Sequence, residues 1–187
     1  MGIGTAGIGD PLVVFKRKFR WTLEIFGQNC PFHIPPWFVT VAARPNISFD
    51  ETEINFLNDK TWIPGKATWE SITVTMLDVG GAGASNDGVQ IYKWLLSVFD
   101  FRSPTHKFMS SNIAGYAGTA ILTMWDGCGT EMETWTFDDA WPQAVNFGDL
   151  DYSSSDIANI ELTMRYSKVS FRPGCGANLE FCGCTGC

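Results

Sequence analysis

Four cysteines crowd the glycine-rich end of the chain, Cys175, Cys182, Cys184 and Cys187. Thiols in the pattern Cys-x6-Cys-x-Cys-x2-Cys could wrap tetrahedral zinc or an iron-sulfur cluster, stay reduced, or oxidise with three possible pairings. No second Cys-x2-Cys knuckle is present, so the spacing matches no zinc ribbon. With no export signal in view, metal or reduced thiols are favoured over disulfides. If metal binds, Cys182, Cys184 and Cys187 are the expected ligands and Cys175 closes the loop. Cys30 and His33 have a Cys-x2-His spacing without a matching half-site, which reads as a buried thiol and an ordinary loop histidine. His33 and His106 are the chain's 2 histidines, so a Ser-His-Asp hydrolase or a His-rich metal site would have to use one of them. Glu131 and Glu133 fall on one face of an expected strand, with Asp138 and Asp139 after it, formally a carboxylate set for acid-base work. Nothing around them predicts a raised pKa, so a solvated acidic face is the plainer reading. Gly81-Ala-Gly-Ala-Ser-Asn lies where a dinucleotide-binding loop would lie. It lacks the third glycine, follows an alternating strand, and has no second βαβ unit behind it; a flexible linker fits better. Apart from possible metal at the terminal cysteines, no cofactor is expected.

Positioning such residues requires a core, and the composition supplies one. The 187 residues are 45% hydrophobic, with 14 Phe, 8 Trp and 4 Tyr, enough for one well-stocked domain. No apolar run approaches the roughly 20 residues of a membrane-spanning helix. The start, Met1 to Gly9, has neither the basic nor the long apolar region of a signal peptide, so no passage through a membrane is expected. The formal charge of −7 argues against a basic nucleic-acid footprint. Its distribution is uneven: Lys16, Arg17, Lys18 and Arg20 cluster near the N-terminus, whereas Asp126 to Glu161 holds nine acids and no Lys or Arg. One face or element is expected to be strongly negative.

The elements read mostly as strands. Val13 to Ile25 alternates with period two and predicts a long strand with one buried face. Phe38 to Ala42 and Asn46 to Asp50 are short apolar runs separated by Arg44-Pro45. Within Ile54 to Gly65, Asn58-Asp59-Lys60 predicts a hairpin tip and Pro64-Gly65 a turn. Ile72, Val74 and Met76 mark one face of a further strand. Ile91, Trp94, Leu95, Val98 and Phe99 recur at helical spacing, predicting a helix over about 89–99, with Ser85, Asn86 or Asp87 as N-cap and Arg102-Ser-Pro104 as its stop. Strands are then expected over 118–125, 131–137, 141–147 and 157–171, with a turn at Asp126-Gly-Cys-Gly129 and Ile160, Leu162, Met164 and Tyr166 on one face of the last. Seven or eight strands and one helix predict a mainly β fold, an antiparallel barrel or sandwich with one flanking α-helix. Trp62 and Trp141 fall outside the expected core, which suggests an interface.

The segments Asp10-Pro-Leu-Val-Val-Phe-Lys-Arg-Lys-Phe-Arg-Trp-Thr-Leu-Glu, Ala42-Ala-Arg-Pro-Asn-Ile-Ser-Phe-Asp-Glu-Thr-Glu-Ile-Asn-Phe-Leu-Asn and Thr61-Trp-Ile-Pro-Gly-Lys-Ala-Thr-Trp-Glu-Ser-Ile-Thr-Val-Thr resemble the tail tube proteins of contractile-tailed bacteriophages. Trp125-Asp-Gly-Cys-Gly, the stretch from Trp135 to Asp151, and Leu162-Thr-Met-Arg-Tyr resemble the same family's second half. The match runs in order over about 10–172; the cysteine-rich end from about Pro173 departs from it.

The resemblance implies a non-enzymatic structural protein of the virion, assembled in the host cytoplasm and present in six copies per ring. Stacked hexameric rings would form a hollow tube inside a sheath, bounded by baseplate and tail-terminator proteins. It divides the chain into a flexible segment 1–12, a tube domain 13–172 and a Cys-rich tail 173–187. The arm Phe56, Leu57, Asn58, Asp59, Lys60, Thr61, Trp62 and Ile63 resembles the family's loop that reaches a neighbouring ring. Glu131, Glu133, Asp138 and Asp139 are candidates, on charge alone, for a lumen that lets phage DNA slide through without binding it. A fold-related tube of a contractile secretion system, carrying effectors, is the alternative. The basic stretch Lys16 to Arg20 could face acids of an adjacent subunit or the sheath, or be a plain solvated strand face.

Overall fold

A computed structural model describes residues 15–28, 32–80, 87–106 and 113–174. Alternation becomes strand wherever one set of side chains finds the core. Strand β1 (Trp21–Gly27) buries Leu23 and Ile25, β6 (Ile72–Leu77) buries Ile72, Val74 and Met76, β9 (Gly118–Trp125) buries Ala120, Leu122 and Met124, and β11 (Asn159–Arg165) buries Ile160, Leu162 and Met164. All of these side chains but Met124 meet in one cluster. The other strands are β2 (His33–Ile34), β3 (Val39–Ala42), β4 (Ile47–Phe56), β5 (Asp59–Trp69), β7 (Phe99–Asp100), β8 (Thr105–His106), β10 (Glu131–Asn146) and β12 (Lys168–Pro173).

The main sheet runs β2-β1-β9-β10-β11-β6-β3 with β12 on β10, all antiparallel. Its two end strands, β2 and β3, are joined by Pro35 and a 3-10 turn at Pro36–Phe38, so the chain closes the path on itself. Strand β10 is the corner. It pairs with β12 up to Asp138 and with β9 up to Ala140, and from Trp141 with β11. The change falls at a register shift between Phe137 and Ala140, where Asp139 takes φ 54. An extra residue in a strand bends it and turns it from one sheet into another.

Helix α1 (Asp87–Val98) closes one end of the core with Ile91 and Trp94. The Trp94 ring stacks on Phe32 at 4.6 Å, and its indole N–H donates to the Tyr116 carbonyl at 2.9 Å. A Cβ at Gly118 would stand 3.0 Å from the Phe32 ring and 3.1 Å from the Phe26 carbonyl, so glycine is what admits this packing.

The expected fold class and the Asp126–Gly129 turn stand, and five expectations are corrected. The strand predicted over 13–25 begins only at Trp21; Phe15 and Phe19 alternate as strand residues would, but both are exposed and the segment is a turn held by Arg20 N–H on the Arg17 carbonyl at 3.2 Å. The strands expected over 131–137 and 141–147 are one bent strand. The strand expected over 157–171 breaks at Tyr166-Ser167 into the hairpin β11-β12, with Ser167 N–H on the Asp138 carbonyl at 3.1 Å. Pro64-Gly65 is not a turn but a bulge inside β5. Helix α1 is stopped before Arg102-Ser-Pro104, by the short β7-β8 hairpin. The segment 1–12, Cys30, Ser85, Asn86 and the four terminal cysteines lie outside the described residues.

Candidate assembly interface

Strands β4 and β5 pair only with each other, and every residue of β4 is exposed. They form an arm of ten and eleven residues standing off the barrel. A lone two-stranded hairpin is marginal in water, and this one is studded with apolar groups: Phe49, Ile54, Phe56, Trp62 and Ile63 are all exposed. Directly opposed residues share a face. Beyond the bulge, Ile54 stands against Thr61, Thr52 against Ile63, and Phe56 against Asp59, giving one apolar face. The opposite face there carries Glu51 against Pro64, Glu53 against Trp62, and Asn55 against Lys60. The bulge places Gly65 and Lys66 across from Asp50, and a Cβ on Gly65 would lie 3.1 Å from the Asp50 carbonyl oxygen. Nearer the barrel, the apolar pairs Phe49 with Ala67 and Ile47 with Trp69 therefore continue the Glu51 face. The arm is thus apolar on both faces, at different distances from the body.

The hairpin turn is Leu57-Asn58, one residue earlier than the Asn58-Asp59-Lys60 tip expected, because Asp59 and Lys60 are already paired in β5. Leu57 holds φ 55 and is 90% exposed. A left-handed conformation costs an L-residue roughly 1–2 kcal/mol, and here a bulky apolar side chain is held in it, facing solvent.

The arm is rooted by polar contacts. Glu70 N–H donates to the Asn46 carbonyl at 3.0 Å, and the Asn46 amide donates to the Glu70 carboxylate at 2.7 Å. Just before Asn46, Arg44 donates to Glu133 at 2.7 Å. Glu133 is 3% exposed and also accepts from the Lys16 ammonium and, at 3.3 Å, from the Trp135 indole. Burial pushes its carboxyl up, but the hydrogen bonds from Lys16 and Trp135 and the charges of Arg44 and Lys16 outweigh burial and hold it below the usual range. One carboxylate thereby ties the N-terminal segment and the arm's root to the barrel.

This changes the reading of the four acids. Glu133 does not share a solvated face with Glu131: a register shift separates them, and its charge is used inside the protomer. Glu131 is exposed and pairs with Arg172 at 3.3 Å. Asp138 stands across from Lys168, and Asp139 occupies the bend of β10. The role of Glu133 escaped the sequence because its two cationic partners lie 117 and 89 residues away. Of the histidines, His33 pairs with Glu24 at 2.6 Å on the surface, and the His106 ring packs edge-on against Phe99. Trp62 is exposed as expected, though within β5 rather than at the tip, and Trp141 is half-buried. No group of three metal-ligating side chains occurs among the described residues, and none of their helices is long and apolar enough to cross a membrane.

No family model matches the sequence, and neither does any curated protein sequence. Solved structures do match. A chain of the six-fold symmetrised cryo-EM structure of the anti-feeding prophage baseplate aligns with TM-score 0.65 and 14% identity, over 87% of this chain and 98% of that one. A chain of the sheath-tube complex of an extracellular contractile injection system, PVC, in its extended state aligns with TM-score 0.62 and 18% identity, over 92% and 99%. A chain of the cap that terminates the anti-feeding prophage tube gives 0.63 and 17%, over 91% and 99%. At these identities the likeness establishes the fold: the chain has, nearly end to end, the fold of components of contractile injection particles.

Proposed function

We propose that this chain is a non-enzymatic tube subunit of a contractile particle, whose copies join as hexameric rings and stack into a hollow conduit. The observation that carries the reading is the arm. A hairpin exposed along its length, apolar on both faces and rooted by ion pairs to the buried carboxylate of Glu133 has no use in a monomer, and its surface is what a neighbouring copy would cover. The fold it shares with chains of tube-bearing particles supports the same reading. Phe56 to Ile63 are the proposed inter-ring and inter-subunit contacts. Sheath, baseplate and terminator proteins are the further partners, engaged from outside and at the tube's ends.

In a phage tail the conduit would pass DNA without binding it, and the protein would be a virion component. Glu131, Asp138 and Asp139 are the proposed lumen acids, with Glu133 withdrawn from the set. The second reading is a contractile injection system that carries effectors, favoured by the prophage and injection-system structures that share the fold. Terminase genes beside sheath and baseplate genes would mark the phage; their absence would mark the injection system. For the Cys175, Cys182, Cys184 and Cys187 tail, zinc or iron-sulfur binding is proposed, tested by metal analysis of protein purified without chelator; substoichiometric metal rejects it. Negative-stain microscopy of the purified full chain tests the main reading, expecting rings or rods of uniform diameter. A monodisperse monomer at every concentration would overturn it.

A further inference from the structure

A groove of about 680 Å³ opens between the N-terminal segment and β3, with Trp21 and Val41 among its apolar walls and Lys16, Arg17, Lys18 and Arg44 around it. Its cations are held in place. Arg20 N–H bonds to the Arg17 carbonyl, the Trp21 indole donates to the Lys18 carbonyl at 2.8 Å, and Lys16 is tied to Glu133. Lys16 and Arg44 share the single negative charge of Glu133, whereas Arg17 and Lys18 have no ion-pair partner among the described residues.

The arm has the complementary chemistry. From Pro45 to Asp59 the chain contains acids and no Lys or Arg. Glu53 is paired with Lys60 at 2.8 Å, but Asp50 and Glu51 are exposed and without an ion-pair partner among the described residues, beside the exposed Phe49. They cannot serve their own groove. Arg44 is at the groove and Asp50 lies six residues farther along an outgoing, extended segment, about 20 Å away at the usual strand rise.

We infer that the groove of one protomer receives strand β4 of another copy's arm, Glu51 facing Arg17 and Lys18 while Phe49, two residues away on the same face, meets the apolar wall. This deepens the tube-subunit reading and rests on it. Complementary charge at such a contact would fix register and speed association more than it adds bulk affinity, and salt would weaken it across a Debye length of about 8 Å at physiological ionic strength.

Charge exchange tests the pairing. R17E/K18E and E51K, each made in the full chain, are expected to lower the pelletable rod fraction about tenfold or more, and the three changes together to restore it. Circular dichroism and melting of each variant show whether it folds. Should a variant misfold, the wild-type chain still decides the matter. Rods grown from mixed 14N- and 15N-labelled protein, treated with a zero-length carbodiimide cross-linker, should yield inter-copy peptides joining Lys18 to Glu51. Rods that form normally from R17E/K18E, no rescue in the folded combined variant, or cross-links of Lys18 only elsewhere would overturn the inference and leave the tube reading standing. Failure of wild-type protein to form any ring or rod would strike the tube reading itself.

Discussion

Glutamine in place of Glu133 keeps the shape of the side chain and removes the charge that Lys16, Arg44 and the Trp135 indole converge on. Breaking a fully buried ion pair costs about 3–5 kcal/mol. Here only the carboxylate is buried; the side chains of Lys16 and Arg44 are 44% and 53% exposed and regain water when released. The loss should therefore resemble that of a charge-assisted hydrogen bond, roughly 1.5–3 kcal/mol. In a domain of this size that lowers Tm by about 4–10 °C at pH 7. The acid side of the experiment isolates the charge. Because the folded-state pKa is depressed, the stabilisation is complete above the unfolded-state value, about 4.3 for glutamate, and is lost as pH falls through the folded-state value. The gap in Tm between wild type and E133Q should thus narrow steadily from pH 5 downward. Thermal unfolding by circular dichroism at pH 7, 5 and 3.5 measures it. An unchanged Tm at pH 7, or a gap that persists undiminished at pH 3.5, would refute the electrostatic account of this node.

Leu57→Gly relieves the left-handed strain while deleting a 90% exposed side chain, so monomer Tm should hold or rise as the concentration needed for assembly increases; unchanged assembly would remove Leu57 from the interface. Phe56→Ser with Trp62→Ser should leave monomer stability within about 0.5 kcal/mol, both side chains being exposed, yet abolish rods in sedimentation and microscopy. Trp94→Phe keeps a ring against Phe32 but removes the indole hydrogen bond to the Tyr116 carbonyl, costing about 0.5–1.5 kcal/mol, whereas Trp94→Ala should cost about 3–5 kcal/mol; equal losses in chemical denaturation would mean that the ring's packing contributes nothing beyond the hydrogen bond.

Much of the barrel was legible because single-face burial writes itself into alternation: Ile72, Val74 and Met76 in β6, and Ile160, Leu162 and Met164 in β11, all prove buried. The helix was legible from Ile91 and Trp94, three residues apart on the face that reaches the core. Periodicity misled where it continued without a sheet to receive it. Phe15 and Phe19 keep the beat of β1 outside the strand, and Tyr166 keeps the beat of β11 although the chain turns there into β12. The bend of β10 rests on one left-handed residue, Asp139, and nothing in Trp135 to Trp141 marks it as the point where one sheet hands over to another. The arm was legible as a hairpin but not in extent, since its aromatic and acidic residues read equally as a short strand and a tip. Glu133 was read as a solvent-facing acid because charge composition carries no information about partners a hundred residues away.

The arm and the groove also constrain the symmetry of what they build. A two-fold dimer uses one self-complementary patch on both partners. Here the donor surface is the acidic strand β4 and the acceptor is the basic groove beside β3, different places on the protomer. Each copy that gives its arm keeps its own groove open, and each that fills its groove keeps its own arm free. Unless two copies exchange arms reciprocally, such a contact does not stop at two; it closes into a ring or runs on as a filament. The arm's second apolar face, Ile54, Phe56 and Ile63, is then still uncovered and available to a further copy, which one ring alone need not supply. Assembly followed by analytical ultracentrifugation should therefore pass from monomer to large particles without an accumulating dimer. A stable dimer as the end state would mean either arms pairing with each other or two copies exchanging arms reciprocally, and would exclude the open ring-forming contact.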